Sequence, residues 1–475
     1  MTALAIFDLD RTLISGPSGK VYQRQLAEAG VTRAPGAGAE AVSESLYRIY
    51  EMVGENPLTM QAARYAVRGS KGWSVQAVNK AAEAAADELA ELVLPYGKQL
   101  IAEHQAAGRL AVMATTSPRC FVEPLANRLG MDHVFATDWE SDGDTFTGSL
   151  AGRFLWGRNK ILEIKEWAKA NGADLGASYG YSDSVYDVPM LRTVGHPVAV
   201  NPDPQLEVVA RLNRWPIRHL DVPAGVVKVA GRELQDWLRP LNRPELTSYA
   251  KFDISGTEKI PGEGAAIVVF NHRSYFDSSA INFTLAKTNR PARFLGKKEV
   301  FDTPIVGQLS SMMGGIRVDR GTGSDEPLER AIQALDAGEM ISMAPQGTIP
   351  RGPAFFETEL KGRWGAARLA HATKAPVIPI GVWGTEKVWP RSQRLPNMLV
   401  AEPPLVTVRV GEPVDLRYRS LDADTKRIMA AIVDLLPPEA LVEHTPTEEE
   451  LRLTYPPGYE GDPSQESDRR PGTDT

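Results

Sequence analysis

Two aspartates separated by one leucine follow a short apolar run at the start of the 475-residue chain. Asp8 and Asp10, in AIFDLDRTLIS, either mark the point where a buried strand meets water or form a nucleophile and its acid partner. Further polar residues that follow apolar runs or begin a predicted helix favour chemistry. They are Thr115 in VMATTSP, Lys160 in GRNK, and Asp183 and Asp187 in YSDSVYDVPML.

Together these residue types supply what phosphoryl transfer requires. Asp8 would attack phosphorus, and Asp10 would protonate the leaving oxygen and later activate water. Thr115 and Lys160 would bind phosphate oxygens and offset the charge that gathers in the site.

The carboxylates in this set also predict a metal site. Mg²⁺ prefers carboxylate oxygens and water, so Asp8, Asp10 and Asp183 are its candidate ligands. Asp187, about one helical turn after Asp183, would support these ligands from behind. Mg²⁺ is the only cofactor that the sequence predicts.

A second group of residues predicts proton abstraction in the C-terminal half. His272 and Asp277, in FNHRSYFDS, have a spacing that lets a short turn bring the carboxylate against the imidazole ring. We find no serine or cysteine nucleophile motif nearby, so the base would act directly on a bound hydroxyl. Arg320, after the apolar run of GGIRVDR, is a candidate clamp for a phosphate or carboxylate.

The elements around these residues predict an α/β fold for both halves. Apolar runs at 4–9, 109–115, 177–184 and 196–202 alternate with helical segments, which indicates a doubly wound parallel sheet. A second series of runs, at 264–272, 292–298, 314–320, 340–347 and 375–384, predicts another α/β domain.

The first half resembles the haloacid dehalogenase-like phosphatases, particularly the phosphoserine phosphatase branch. The resemblance covers roughly residues 1–220 and implies a hydrolase domain with a helical cap at about 15–95. This chain departs from the family pattern at Arg11, where a small residue is common, and at Ser182, where glycine usually precedes the aspartate.

The second half, about 245–430, resembles the 1-acylglycerol-3-phosphate acyltransferases of the glycerophospholipid acyltransferase family. The resemblance implies that His272 and Asp277 deprotonate an acceptor hydroxyl, which attacks an acyl thioester, while arginine-containing motifs bind the acceptor's phosphate. In the third motif the family pattern is Pro-Glu-Gly-Thr-Arg. Here the corresponding residues are Pro345, Gln346, Gly347, Thr348 and Ile349, with Arg351 as the candidate replacement for the missing arginine.

Composition narrows the possible partners. The net charge of −7 argues against nucleic acid as the main partner, since binding phosphate backbones needs a basic surface. The single cysteine, Cys120, excludes an internal disulfide. No export signal or transmembrane run is predicted, so any membrane contact is expected to be peripheral. Trp237 and the apolar stretch 301–315 are candidates for that contact, although ordinary packing explains them equally well.

We therefore predict a hydrolase domain at 1–220, a linker at 221–244, an acyltransferase domain at 245–440 and an acidic disordered tail at 441–475. The favoured interpretation is a bifunctional enzyme of phospholipid biosynthesis, cytoplasmic and peripheral on the inner face of the cell membrane. Its donor would be acyl-CoA or acyl carrier protein, and its acceptor a lysophospholipid such as lysophosphatidic acid. Two alternatives stay open for the first domain: a phosphatase of small phosphomonoesters such as phosphoserine, or a catalytically idle module that positions or regulates its neighbour.

Overall fold

Four consecutive apolar residues, Leu4–Phe7, form the strand around which the N-terminal unit is built. The computed structural model describes residues 2–32, 56–319 and 325–460. The chain divides into two compact units, Met1–Ala224 and Gly225–Thr475.

The N-terminal unit contains eight strands and eight α-helices among the described residues. The strands are β1 Leu4–Phe7, β2 Leu110–Pro118, β3 His133–Thr137, β4 Trp139–Asp142, β5 Thr145–Leu150, β6 Tyr179–Ser182, β7 His196–Val200 and β8 Ile217–Arg218. The helices are α1 Gly19–Glu28, α2 Pro57–Ala66, α3 Val75–Glu91, α4 Pro95–Ala106, α5 Arg119–Arg128, α6 Arg158–Asn171, α7 Val188–Leu191 and α8 Pro204–Asn213.

Six of these strands form a parallel sheet in the order β3-β2-β1-β6-β7-β8. Both faces of the sheet are covered, because Leu4 and Ile6 of β1 enter one apolar cluster while Ala5 and Phe7 enter another. The strand order reverses at β1, where open α/β sheets bind their ligands. The predicted doubly wound parallel sheet is confirmed.

The segment predicted as a cap, about 15–95, contains α1, α2 and α3 among its described residues, while 33–55 lie outside the described residues. Helix α3 buries a stripe of small side chains and packs against α5 and α1. The antiparallel hairpin β4–β5 joins this region through an isolated bridge between Ser74 and Thr145.

The C-terminal unit contains nine strands and nine α-helices among the described residues. The strands are β9 Lys228–Val229, β10 Arg232–Glu233, β11 Lys251–Ser255, β12 Ala266–Phe270, β13 Ala292–Lys297, β14 Ile316–Val318, β15 Met340–Met343, β16 Val377–Trp383 and β17 Leu405–Val410. The helices are α9 Leu234–Leu238, α10 Asp277–Ala286, α11 Lys298–Asp302, α12 Val306–Met312, α13 Glu326–Asp336, α14 Gly365–Thr373, α15 Thr385–Val388, α16 Leu421–Val433 and α17 Glu448–Leu453.

Seven of these strands form one sheet in the order β11-β17-β16-β12-β15-β13-β14. All neighbours in it are parallel except β16 and β17. The five strands from β16 to β14 therefore run in one direction, and their carboxyl ends lie at one edge. The second α/β domain is thus confirmed. Strands β11 and β17, which the sequence analysis did not identify, complete the sheet.

Two segments differ from the expected linker and tail. Within the expected linker, 221–244, the structure forms the β9–β10 hairpin and α9, and Glu233 is held by the buried guanidinium of Arg293. In the expected tail, 441–460 include α17 and Tyr455, whose side chain is buried. Residues 461–475 lie outside the described residues.

Within 2–32, 56–319 and 325–460, none of the helices has both the length and the apolar character needed to cross a bilayer.

Candidate active sites

The register of the N-terminal sheet brings the predicted phosphoryl-transfer residues to one edge. Phe7 of β1 pairs with Met113 of β2 and with Tyr181 of β6. Asp8 is one residue past these pairs, and Thr115 and Asp183 are two residues past them. All three side chains are buried, at 7%, 2% and 8% exposure respectively.

Lys160 links two of the predicted carboxylates. Its Nζ donates to Asp8 Oδ1 at 2.9 Å and to Asp187 Oδ2 at 2.8 Å, and its side chain is buried. Ser182 Oγ also donates to Asp187 Oδ2, at 2.8 Å. The hydroxyl at the position where the family has glycine therefore orients Asp187, which in turn fixes Lys160 beside Asp8.

Asp10 occupies a different environment from Asp8. Its Oδ1 accepts a hydrogen bond from the backbone N–H of Ser18, the residue before α1, at 2.6 Å. Burial raises the pKa of the Asp10 carboxyl above its usual range, while the Ser18 hydrogen bond opposes that rise. A raised pKa favours the protonated acid, which is the form that can donate a proton to a leaving oxygen.

The loop after Asp10 holds Asp183 in place. Arg11, where the family commonly has a small residue, adopts a left-handed conformation with φ 59°, which is uncommon for residues other than glycine. One residue later, Thr12 Oγ1 donates to Asp183 Oδ1 at 3.3 Å. From the other side, Asp203 accepts from the backbone N–H of Val185 at 2.8 Å and so fixes the turn that follows Asp183.

Thr115 is the predicted hydroxyl residue at this edge of the sheet. Its Oγ1 accepts from the backbone N–H of Ser117 at 3.2 Å, so the hydroxyl contacts the backbone of the last residues of β2. The hydroxyl hydrogen of a threonine rotates to suit its partner and can be offered to a phosphate oxygen.

The residues at this edge fit Mg²⁺ in part. Asp8 and Asp183 provide buried carboxylates at adjacent strand ends, which are the oxygen donors that Mg²⁺ prefers. The Asp10 carboxylate is directed at Ser18. Within the described residues no group of three His, Cys, Asp or Glu side chains is arranged to hold a metal ion. Asp8 and Asp183 are therefore the side chains that would hold Mg²⁺, and water, which Mg²⁺ usually retains, would complete its shell.

In the C-terminal unit His272 and Asp277 meet as the sequence predicts. His272 follows β12, and its Nδ1 lies 2.7 Å from Asp277 Oδ2. Since an ionised carboxylate only accepts hydrogen bonds, Nδ1 carries the hydrogen and Nε2 keeps a free lone pair. The pair is therefore arranged to present Nε2 as a base.

Asp277 is fully buried and its oxygens are saturated with donors. Besides His272, Oδ2 accepts from the backbone N–H groups of Arg273 at 2.7 Å and Ser274 at 2.9 Å. Oδ1 accepts from Thr385 Oγ1 at 2.5 Å. These donors stabilise the charged carboxylate in a buried position, so it can orient the ring and stabilise the imidazolium.

The third motif supports the base from the neighbouring strand. Gln346, which is buried, accepts from the backbone N–H of His272 through Oε1 at 2.6 Å. Gly347 has φ +71° and lets the chain turn sharply after β15. Thr348 Oγ1 accepts from Lys297 Nζ, at the end of β13, at 2.9 Å. Three parallel strands thus contribute polar groups to one edge.

The arginines that the sequence predicts as phosphate ligands have no described contact with His272, Gln346 or Thr348. Ile349, at the position of the family's arginine, is buried. The guanidinium of Arg351 lies over the ring of Tyr459 at 6.0 Å from its centroid, in the C-terminal segment. Arg320 lies outside the described residues.

Several residues of both sites were not assigned by the sequence analysis. Thr12, Ser182 and Thr385 donate to the buried carboxylates. Lys297 Nζ donates to Thr348 Oγ1 of the third motif. Polar residues directly after apolar runs were a usable signal for Ser182, Lys297 and Thr385. Their partners could not be identified from spacing.

Family comparisons agree with these two sites. The haloacid dehalogenase-like hydrolase model matches residues 5–192, and the acyltransferase model matches residues 251–383. Each match contains the residues that meet at one sheet edge.

Individual relatives cover one half of the chain or the other. The inhibition of morphological differentiation protein of Streptomyces azureus is 36% identical over 218 residues, which are 45% of this chain and 76% of that protein. The histidinol-phosphatase of Neisseria meningitidis serogroup C (strain 8013) is 31% identical over 226 residues, which are 46% of this chain and 98% of that protein. The solved structure of the 1-acyl-sn-glycerophosphate acyltransferase PlsC from Thermotoga maritima is 22% identical, with a TM-score of 0.31, and the match covers 42% of this chain and 79% of that one.

The doubly wound α/β fold and the relatives of the N-terminal unit define a hydrolase class for that unit. The chain belongs to the haloacid dehalogenase-like hydrolase family, and its C-terminal unit matches the acyltransferase model over residues 251–383. The predicted resemblance to the haloacid dehalogenase-like hydrolases is confirmed, and the match of the C-terminal unit to the acyltransferase model agrees with the second predicted resemblance.

The hydrogen bond from the backbone N–H of His272 to Gln346 Oε1 predicts that Gln346 positions the base. Gln346→Leu leaves a buried backbone N–H without its acceptor, which costs about 1–3 kcal/mol and loosens the base. We expect a lower melting temperature for the C-terminal unit and a lower kcat for acyl transfer. Gln346→Glu, whose carboxylate can accept the same hydrogen bond, should keep more of the rate than Gln346→Leu, although its buried, uncompensated charge should also lower the melting temperature. Equal activity of wild type and Gln346→Leu would contradict the positioning role.

Proposed function

We propose that the protein is a bifunctional enzyme of phospholipid biosynthesis. It transfers an acyl chain from acyl-CoA or acyl carrier protein to the free hydroxyl of lysophosphatidic acid, and its N-terminal unit is a Mg²⁺-dependent phosphomonoesterase. The observation that carries the acyltransferase half is the His272–Asp277 pair, 2.7 Å apart, on the same sheet edge as Lys297 and Thr348.

In the acyl-transfer reaction His272 Nε2 takes the proton of the acceptor hydroxyl. The hydroxyl oxygen attacks the carbonyl carbon of the thioester, the new ester C–O bond forms, and the C–S bond breaks. The proton on His272 then passes to the departing thiolate. Asp277 stabilises the imidazolium that exists between the two proton transfers.

The acceptor's phosphate is assigned to the cationic residues of the same edge. Lys297 Nζ donates to Thr348 Oγ1, and its ammonium group carries a positive charge that attracts a phosphate. Arg320 and Arg351 keep the phosphate-binding roles that the sequence predicts for them, with the weaker role at Arg351.

In the phosphatase reaction Asp8 attacks phosphorus and the bond to the leaving oxygen breaks. Asp10 donates its proton to that oxygen and then takes a proton from the water that hydrolyses the aspartyl-phosphate. Lys160 and Thr115 bind the phosphate oxygens. Bound Mg²⁺ would supply charge neutralisation at the phosphate, held by Asp8 and Asp183.

A second substrate class for the phosphatase is favoured by one relative. The Neisseria meningitidis protein is named a histidinol-phosphatase, which acts on a small soluble phosphomonoester. Phosphate release from phosphatidate, histidinol phosphate and phosphoserine, compared at equal concentration, separates lipid from small substrates. The alternative of a catalytically idle module is opposed by the paired Asp8, Lys160 and Asp187, and phosphate release from any of the three would exclude it.

The proposed lysophospholipid acceptor implies a location at a membrane surface. A lysophospholipid resides in a membrane and its acyl donors are cytoplasmic, so we assign the protein to the cytoplasm, peripheral on the inner face of the cell membrane.

Asp8→Asn should abolish Mg²⁺-dependent phosphate release and leave acyl transfer unchanged. The amide has nearly the same shape but is a poor nucleophile and a poor magnesium ligand. Asp142→Asn, an exposed aspartate in the same unit, is the matched control and should behave as wild type. Chelation with EDTA should reproduce the loss in the wild type, and retained phosphatase activity in Asp8→Asn would reject the assignment.

His272→Ala should lower acyl transfer by roughly 10²–10⁴-fold, the usual contribution of a general base, and leave phosphate release near normal. The chain offers a matched control in a second histidine–aspartate pair, His371 Nε2 and Asp424 Oδ2 at 2.8 Å, between helices α14 and α16. His371→Ala should lower stability and spare the rate of the folded enzyme. Unchanged thioester consumption in His272→Ala would overturn the mechanism.

Lys297→Met should raise the Michaelis constant for lysophosphatidate roughly ten- to a hundredfold, because a charge-assisted hydrogen bond contributes about 1.5–3 kcal/mol. A phosphate-free acceptor such as monoacylglycerol should be barely affected. The control is Lys298→Met, whose ammonium pairs with Asp319 at 3.1 Å. Arg320→Ala and Arg351→Ala should show the same selectivity, the latter more weakly. Equal losses for both acceptors would remove the phosphate from the acceptor assignment.

A further inference from the structure

Large apolar side chains are exposed on the two short helices that follow β13. Helices α11 and α12 connect β13 to β14, and four apolar residues of this connection are exposed to solvent. These are Val300, Ile305, Val306 and Leu309, at 43%, 77%, 50% and 40% exposure. Burying such side chains is favourable, so a cluster of them in contact with water indicates a partner surface.

Ile305, at the turn between α11 and α12, is the most exposed of the four and is also strained. Its φ is 69°, a left-handed conformation that a β-branched residue rarely adopts. Asparagine or glycine would relieve this strain, and any polar residue would remove the apolar surface that Ile305 exposes to water. Neither the backbone conformation nor the exposure to water favours an isoleucine at this position, which points to a function for its side chain.

A second exposed apolar segment adjoins these helices. The backbone N–H of Val227 donates to the carbonyl of Met312, at the end of α12, at 3.2 Å. The guanidinium of Arg293 fastens the two segments together, since it binds Glu233 and the carbonyl of Met313. The exposed residues of this segment are Val227, Val229, Trp237, Leu241 and Leu246.

We call the nine exposed residues of the two segments the apolar rim, and the chain around it is basic. Residues 225–246 and 287–319 contain ten Lys and Arg against six Asp and Glu, a net charge of +4, whereas the whole chain has a net charge of −7. An apolar surface in a basic setting on an acidic protein is complementary to a membrane that contains anionic lipids.

The position of the apolar rim also matches such a partner. Helix α11 begins at Lys298, directly after Lys297, whose ammonium contacts Thr348 at the proposed acceptor site. A lipid whose phosphate lies at Lys297 would have its acyl chain within reach of the same helices.

We propose that the apolar rim docks the C-terminal unit on the surface of an anionic lipid bilayer, with Ile305 inserted among the acyl chains. The choice of a lipid partner rests on the proposed function, because the acceptor is a membrane lipid. Docking on a bilayer requires no catalysis, so membrane docking and acyl transfer can be tested separately.

The test is flotation of the full-length protein with vesicles of phosphatidylcholine, with and without phosphatidylglycerol. Wild type should bind the vesicles that contain phosphatidylglycerol, and binding should weaken as salt is raised. Ile305→Asn should reduce the partition coefficient roughly tenfold, the size expected for losing one buried aliphatic side chain. Because asparagine tolerates a left-handed conformation, the melting temperature should not fall.

The matched control is Leu399→Asn, which changes an equally large side chain, 96% exposed, outside the apolar rim. It should bind vesicles as wild type does. His272→Ala should also bind as wild type, and Ile305→Asn should keep its rate on a monomeric short-chain lysophosphatidate while losing rate on vesicles.

Equal vesicle binding by wild type and Ile305→Asn would overturn the proposal. So would wild-type dimerisation that Ile305→Asn abolishes, in the absence of vesicle binding, because the occupant would then be a second copy of the chain. Vesicle binding without acyl transfer by the wild type would withdraw the proposed function and leave the docking surface intact.

Discussion

The burial of carboxylates is the constraint on which both sites depend. A carboxylate removed from water must be given donors, or it binds a proton and loses the charge that its chemistry needs. Asp277 receives four hydrogen bonds, two of them from the backbone of the turn that follows His272. Asp8 and Asp187 share the ammonium of Lys160. A helix brings one donor to each site: α6 carries Lys160, and α15 carries Thr385.

This constraint explains which parts of the sites could be predicted. Asp277 lies close to His272 in sequence, and the local turn alone joins them, so spacing was sufficient. Asp8, Lys160 and Asp183 could be predicted because they occur in order after strands or at a helix start. Thr385 is 108 residues from Asp277, and no local pattern assigns its hydroxyl to that carboxylate.

The same limit applies to the fold. Buried runs such as β1 and β12 are visible as continuous apolar sequence, and they supported the prediction of a parallel sheet in the first half and of a second α/β domain. Residues 225–244 are rich in proline and turn residues, which is typical of a linker. They are ordered by Arg293, which binds both Glu233 and Glu339 from positions far apart in the chain. The burial of Tyr455 likewise depends on packing that composition does not reveal.

The two departures from the family pattern in the third motif, at Gln346 and Ile349, compensate each other in charge. The family pattern carries a glutamate and an arginine, whereas Gln346 and Ile349 are both neutral, so the net charge of the motif is unchanged. Both positions are nearly inaccessible to solvent, at 1% and 2% exposure. A charge kept at either position without the other would be buried and uncompensated, which is costly. Gln346 retains the one property of glutamate that the fold uses, an oxygen that accepts the N–H of His272. The contact that positions His272 is therefore kept, and Lys297, a cationic side chain on the neighbouring strand, contacts the third motif at Thr348.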